Sequence, residues 1–137
     1  MKWNVFLLIL VSLTVFNVDG LAQKNKRYSF DRLYSNIFDL NCYSSGCHDG
    51  SFEPNFTSMN NAYYTLVYHP VKKNNEEASF TYRVEPGNPK NSLLYERITN
   101  CCFLDIDDRM PLLSKYLSKK EIRLIKKWIE AGAPDWK

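Results

Sequence analysis

Residues 41–50 read N-C-Y-S-S-G-C-H-D-G. Cys42 and Cys47 are separated by four residues, and His48 directly follows the second cysteine. Two thiols and an adjacent imidazole are the parts of a covalent haem site. The thiols add across the two vinyl groups of the porphyrin, and the imidazole reaches the iron from one face. The usual run is Cys-X-X-Cys-His, and here the gap is longer by two. The chemistry asks only for two thiols near one porphyrin edge and a histidine fixed to the second of them. A bulge in residues 43–46, with Gly46 permissive at any φ, leaves His48 attached to Cys47 as before.

The four cysteines have a second reading. In an exported chain they suggest two disulfides. Cys101 and Cys102 are neighbours, however, and neighbouring cysteines bond each other only through a strained ring. Their side chains also tend to diverge, so a framework joining them to Cys42 and Cys47 is awkward. His48 beside Cys47 favours haem. The alternative is an exported, disulfide-stabilised binding or scaffold domain without haem.

Other donors are few. Met110 stands beside Pro111 in a stretch without clear periodicity; thioethers are competent axial ligands, although methionine is also a common core filler. Met59 sits at a helix start and reads as packing. His69, before Pro70, is the rival distal ligand. Asp105, Asp107 and Asp108 fail as a calcium loop, because Arg109 takes the fifth position, Met110 the glycine position, and no Glu stands twelfth. There is no Ser-His-Asp set and no Gly-rich phosphate loop. With two histidines in all, the chain has little means for acid–base catalysis and is not expected to be an enzyme.

The elements that must position these groups begin after a leader. Lys2 precedes a nearly all-apolar run over residues 3–16, and Gly20-Leu21-Ala22 fits a small-x-small cleavage site. Residues 1–22 read as a signal peptide and residues 23–137 as one domain. An uncleaved anchor is the alternative, but the run is short for a span of about 20 residues. The expected protein is exported, periplasmic or secreted, with no stable membrane span after cleavage. Loss of the leader removes one Lys and one Asp, so the formal charge stays at +3. Lys119, Lys120, Lys126 and Lys127 fall mostly on the outer face of a helix. That leaves no concentrated basic stripe, and no nucleic-acid partner is expected.

Ser29 opens a helix whose Phe30, Leu33, Tyr34, Ile37 and Phe38 share one apolar face and which runs into Cys42. Ser58 or Thr57 caps a second, with Ala62, Tyr63, Leu66 and Val67 inward, ending near His69-Pro70. Residues 80–84 alternate as a short extended piece without forming a sheet. Pro86-Gly87 is a turn, after which Asn88 caps a third helix with Pro89 in its first position. Its stripe is Leu93, Leu94, Tyr95 and Ile98. The last helix has a capping box from Ser118 to Glu121 and a staple from Leu117 to Ile122. Ile122, Ile125, Trp128 and Ile129 form its buried face, and Gly132 its left-handed cap. The fold class is all-α.

Three stretches in this order resemble the small c-type cytochromes, in particular the cytochrome c-like modules of exported planctomycete and bacteroidete proteins. They are Ile37-Phe38 through Cys42 to Cys47-His48-Asp49-Gly50; residues 84–95, V-E-P-G-N-P-K-N-S-L-L-Y; and Arg109-Met110-Pro111 followed by Leu117-Ser118 and residues 121–134. The resemblance implies a small cytochrome c-like helical domain around one covalently attached haem c. Cys42 and Cys47 would carry the thioethers, His48 the proximal iron bond and Met110 the distal one. With both axial positions filled, it implies electron transfer to and from other redox proteins that dock weakly at an exposed haem edge. Phe38, Leu94, Tyr95 and Trp128 are expected as haem walls. The sequence departs from the family in two places. Its attachment gap is longer, although four-residue gaps are known, and Cys101-Cys102 stands where polar loop residues are usual. A haem enzyme with an open distal side is a further reading, with Arg109 or His69 as the distal group and Met110 competing with it.

Overall fold

Phe30, Leu33, Ile37 and Phe38 are all buried, as their spacing requires. In the computed structural model, which describes residues 28–43, 47–100, 109–112 and 115–135, they belong to one continuous helical segment. It starts as α1 (Phe30–Leu33) and widens into a π-helix over Tyr34–Tyr43. Ser29 precedes α1 but makes no side-chain cap hydrogen bond. Asn36 and Asn41 reach back four residues to the carbonyls of Arg32 and Ile37, at 2.7 and 2.8 Å, and brace the wide turns. π-turns are rare and concentrate at functional sites. This one ends on Cys42 and Tyr43. The expected leader, residues 44–46, Cys101, Cys102 and the three aspartates 105, 107 and 108 lie outside the described residues.

The second helix, α2 (Met59–Leu66), is capped by the Ser58 hydroxyl, which accepts the Asn61 N–H at 3.2 Å. It stops earlier than the proline suggests. Val67 is extended and Tyr68 has φ +53°. Here the Val84 carbonyl takes the Tyr68 N–H at 3.0 Å, and Val84 donates to Leu66 at 3.1 Å. That pairing replaces the next helical turn before His69-Pro70 is reached. The contacts Val67–Val84, Pro70–Tyr82 and Tyr82–Ser92 are isolated bridges, and no strand forms among the described residues.

The helix expected from Asn88 onward is split. Pro89–Asn91 is a 3₁₀ turn, and α3 (Leu93–Thr99) starts only after Ser92. The Leu93 and Leu94 N–H groups donate to Tyr82 and Arg83, at 3.3 and 2.9 Å, so the α ladder cannot run through them. Neither Asn88 nor Ser92 caps with its side chain. The buried Ser92 hydroxyl instead donates to the Asn88 carbonyl and accepts the Glu85 N–H, both at 2.9 Å, closing the loop.

The last helix, α4 (Lys119–Glu130), follows its sequence closely. Ser118 and Glu121 form the capping box. At the other end the N–H of Gly132 (φ +92°) bonds Ile129 and that of Ala133 bonds Trp128, both at 2.9 Å, the paired bonds of a Schellman motif. Ile125, Trp128 and Ile129 are buried, and the Trp128 indole N–H is satisfied by the Pro134 carbonyl at 2.9 Å. Trp128 packs on Phe30 with ring centroids 5.2 Å apart, which joins α4 to α1.

Helices dominate the described residues, which fits the all-α expectation. None is long and apolar enough to cross a membrane. Two substitutions probe the frame by urea unfolding. Ser118→Ala should cost about 1 kcal/mol through loss of the cap. Trp128→Ala should cost about 3–5 kcal/mol, because the indole is fully buried and its removal leaves a cavity.

Candidate functional site

A cleft of about 320 Å³ opens beside the C-terminal end of the π-helix. Its floor is apolar, made by Phe38, Phe56, Leu66, Leu94, Ile98 and Leu117. Cys42, His48 and Met110 all line it, although they come from three separate segments. A volume near 300 Å³ is at the small end of ligand-sized pockets.

Cys42 reaches the cleft because it stands one helical turn beyond Phe38 and so continues the buried face. Burial, with Cys47 close by, pushes its thiol up to about 12. Cys42 and Cys47 both stand as thiols. A neutral thiol resists the oxidation and exchange that thiolates undergo.

His48 lies in a loop that folds back on itself. The Phe56 N–H donates to the His48 carbonyl at 2.9 Å, and the Tyr34 hydroxyl of the π-helix donates to the Phe56 carbonyl at 2.9 Å. The imidazole meets Phe56 edge-on at 5.1 Å and Phe52 at 5.2 Å between ring centres. Phe56 in turn stacks on Phe38 at 5.2 Å, only 8° from parallel. His48 Nδ1 is 2.8 Å from the Pro54 carbonyl oxygen. A carbonyl only accepts, so Nδ1 carries the proton. In the neutral ring Nε2 then keeps its lone pair. Burial lowers the pKa of His48; the Pro54 bond opposes that, and Arg83 and Arg97 add to it. A metal-binding histidine has this arrangement, with one nitrogen anchored on a carbonyl and the other available as a donor.

Met110 is held by the end of α3. Its N–H donates to the Arg97 carbonyl at 2.7 Å, and Arg109 Nε donates to the Ile98 carbonyl at 3.0 Å. These carbonyls lie in the last turn of α3, where the helix has no partner of its own to offer. The Arg109 guanidinium also lies 4.5 Å over the Tyr116 ring. Arg109 and Met110 are thereby tied to α3 on one side and to Tyr116, ahead of α4, on the other.

No protein-family model, no curated protein and no solved structure matches the chain. The site is therefore read from its own geometry.

Of the residues singled out by sequence, Cys42, His48 and Met110 share the cleft. His69 is not part of its lining; its Nε2 lies 3.5 Å from Glu53 and its Nδ1 3.3 Å from the Pro70 carbonyl. Among the expected walls, Phe38 and Leu94 face the cleft. Trp128 and Tyr95 are absent from its lining, and Trp128 belongs to the core beneath α1. The apolar period of α4 identifies a buried face but not which side of the core it meets. Lys72, Lys73, the buried Arg83 and Arg97 also line the cleft, with Glu53 among them; Lys72-Lys73 is legible in sequence as a basic pair, but its meeting with Arg83 and Arg97 is not.

These shifts separate two pH windows. The folded-state pKa of His48 lies below its ordinary 6.5, so the unfolded chain binds that proton more readily. The corresponding stability is whole above about 6.5 and falls as pH drops from there to the lowered value. Glu53 and Glu121 are held low by hydrogen bonds from Arg83 and Ser118, so their contribution is lost only as pH falls below about 4.5. Urea midpoints of the bare polypeptide should therefore start to decline as pH falls below about 6.5, ahead of the carboxylate loss below about 4.5. His48→Gln should flatten that segment and leave the lower one. An unchanged slope in the variant would assign the decline elsewhere.

Proposed function

We propose that this chain is an exported mono-haem c-type cytochrome that passes single electrons between redox proteins. The observation that carries the reading is the meeting of Cys42, His48 and Met110 around one apolar cleft, with the His48 Nδ1 proton anchored on Pro54. A bound haem would supply the one-electron iron chemistry.

Each residue has a defined task. Cys42 and Cys47 would form the two thioethers. His48 would offer Nε2 from a ring that aromatic contacts and the Pro54 bond hold in one orientation. Met110 would offer its soft sulfur, which favours reduced iron. Phe38, Phe56, Leu66 and Ile98 would shield a bound haem from water, and a low-dielectric surrounding would raise the cost of extra positive charge on its iron. Lys72, Lys73 and Arg97 also line the cleft and would offer counter-charges to two propionate carboxylates. If His48 and Met110 both bound the iron, no coordination position would be left for a substrate. That argues for a carrier over an enzyme.

The donors set the test. In a host with haem-attachment machinery, Met110→Ala should abolish the weak far-red band that oxidised His–Met haem proteins show. It should also admit added cyanide or carbon monoxide and lower the midpoint potential. His69→Ala should change none of these. The opposite pattern would make the ligation bis-histidine and remove Met110 from the site.

A further inference from the structure

Arg83 is a buried cation with only 5% of its surface exposed, whereas the other basic groups among the described residues are mostly exposed. A buried guanidinium is costly unless it is fully paired, so its partners indicate what it is for. Its NH2 donates to Glu53 Oε2 at 2.8 Å, and its NH1 donates to the backbone carbonyl of Thr65 at 2.7 Å. The Thr65 hydroxyl accepts the Asn55 N–H at 3.0 Å and donates to the Asn61 carbonyl at 2.7 Å. Glu53 and Asn55 are the two neighbours of Pro54. The residue whose carbonyl takes the His48 proton is therefore gripped on both sides, once through Glu53 and once through Asn55. Both grips lead to Arg83 and Thr65.

The anchors are themselves well fixed. Thr65 is in the last turn of α2. The Arg83 N–H donates to the His69 carbonyl at 2.9 Å, and its carbonyl accepts the Leu94 N–H at the start of α3, also at 2.9 Å. The Pro54 carbonyl is thus referenced to two helices, although it lies in a loop. Glu53 also meets Lys72 at 3.2 Å and His69 at 3.5 Å, both on the outer side.

We propose that Arg83, Glu53 and Thr65 are positioning residues for His48: they hold the Pro54 carbonyl so that the imidazole keeps one tautomer and one ring plane. On the haem reading, on which this inference rests, the clamp also sets the donor strength of Nε2, since a firmer Nδ1–H···O bond makes the other nitrogen a stronger base. It acts through Pro54, without touching the metal-binding nitrogen.

Charge and position are separable by three variants. Arg83→Gln removes a positive charge, Glu53→Gln removes a negative one, and Thr65→Val removes only a hydroxyl. A purely electrostatic effect on the site would move the first two in opposite directions and leave the third unchanged. The clamp predicts that all three speed solvent exchange of the His48 Nδ1–H, by about tenfold or more, as the bond opens more often. The readout is proton NMR of the reduced, haem-loaded chain. Thr65→Val should in addition raise the midpoint potential, because a weaker imidazole donor stabilises oxidised iron less.

Wild-type exchange in Thr65→Val and Glu53→Gln would overturn the proposal. So would opposite effects of Glu53→Gln and Arg83→Gln. Should Arg83→Gln fail to fold, the two milder variants decide. Intact mass on the same samples tests the haem reading separately. If no haem is attached, that reading fails while the exchange rates, measured on the bare chain, still decide the clamp.

Discussion

A neutral imidazole has one proton to give and one lone pair to offer, and in this molecule the proton is given to the Pro54 carbonyl. Three ties hold the loop in which that hydrogen bond is made. The loop carrying His48 closes on itself through Phe56, is tied to the π-helix by Tyr34, and is tied to α2 by Thr65. Each tie comes from an element whose own place is fixed by the core, where Phe30, Phe38, Trp128 and Ile129 are almost wholly buried. The order of dependence runs from core to helices, from helices to loop, and from loop to the orientation of one ring.

The same economy explains the site as a whole. A chain of this length can build only one modest core. Here that core is not closed on every side, since Phe38, Leu66, Ile98 and Leu117 are buried and yet border the cleft. On the proposed reading, a haem would supply the missing apolar body and the four residues would be its bed. On that reading the stacked Phe38 and Phe56 would also suit electron transfer, which benefits when the surroundings of the metal change little with its charge. On the same reading the lysines and Arg97 of the cleft lining would serve the opposite need, to compensate carboxylates at the edge of an otherwise apolar cleft.

How much was legible in sequence depends on how local the cause was. Cys47 and His48 are adjacent, Cys42 stands four residues after Phe38, and the apolar spacing that runs from α1 through the π-helix turns Phe38 and Cys42 inward. The capping box of α4 and the left-handed Gly132 are likewise written in a few neighbouring residues. Met110 was readable as a donor type, but its hold on the Arg97 carbonyl was not. Where partners are distant, the reading failed. The split before α3 arises because Leu93 and Leu94 donate to Tyr82 and Arg83. Thr65, Glu53 and Arg83 match no motif, and only the tertiary fold brings them to the two sides of Pro54. Trp128 was read as a haem wall because periodicity shows that a face is buried, not what it is buried against.

The central claim is that Cys42 and Cys47 carry a covalent haem whose iron is bound by His48. Intact mass of the unfolded chain, made in a host with haem-attachment machinery, tests it most directly. The account predicts the mass of the processed polypeptide plus one haem, retained through acid–acetone extraction, and its loss when both Cys42 and Cys47 are changed to serine. A mass equal to the bare polypeptide, with Cys42 and Cys47 recovered in disulfides, would contradict it.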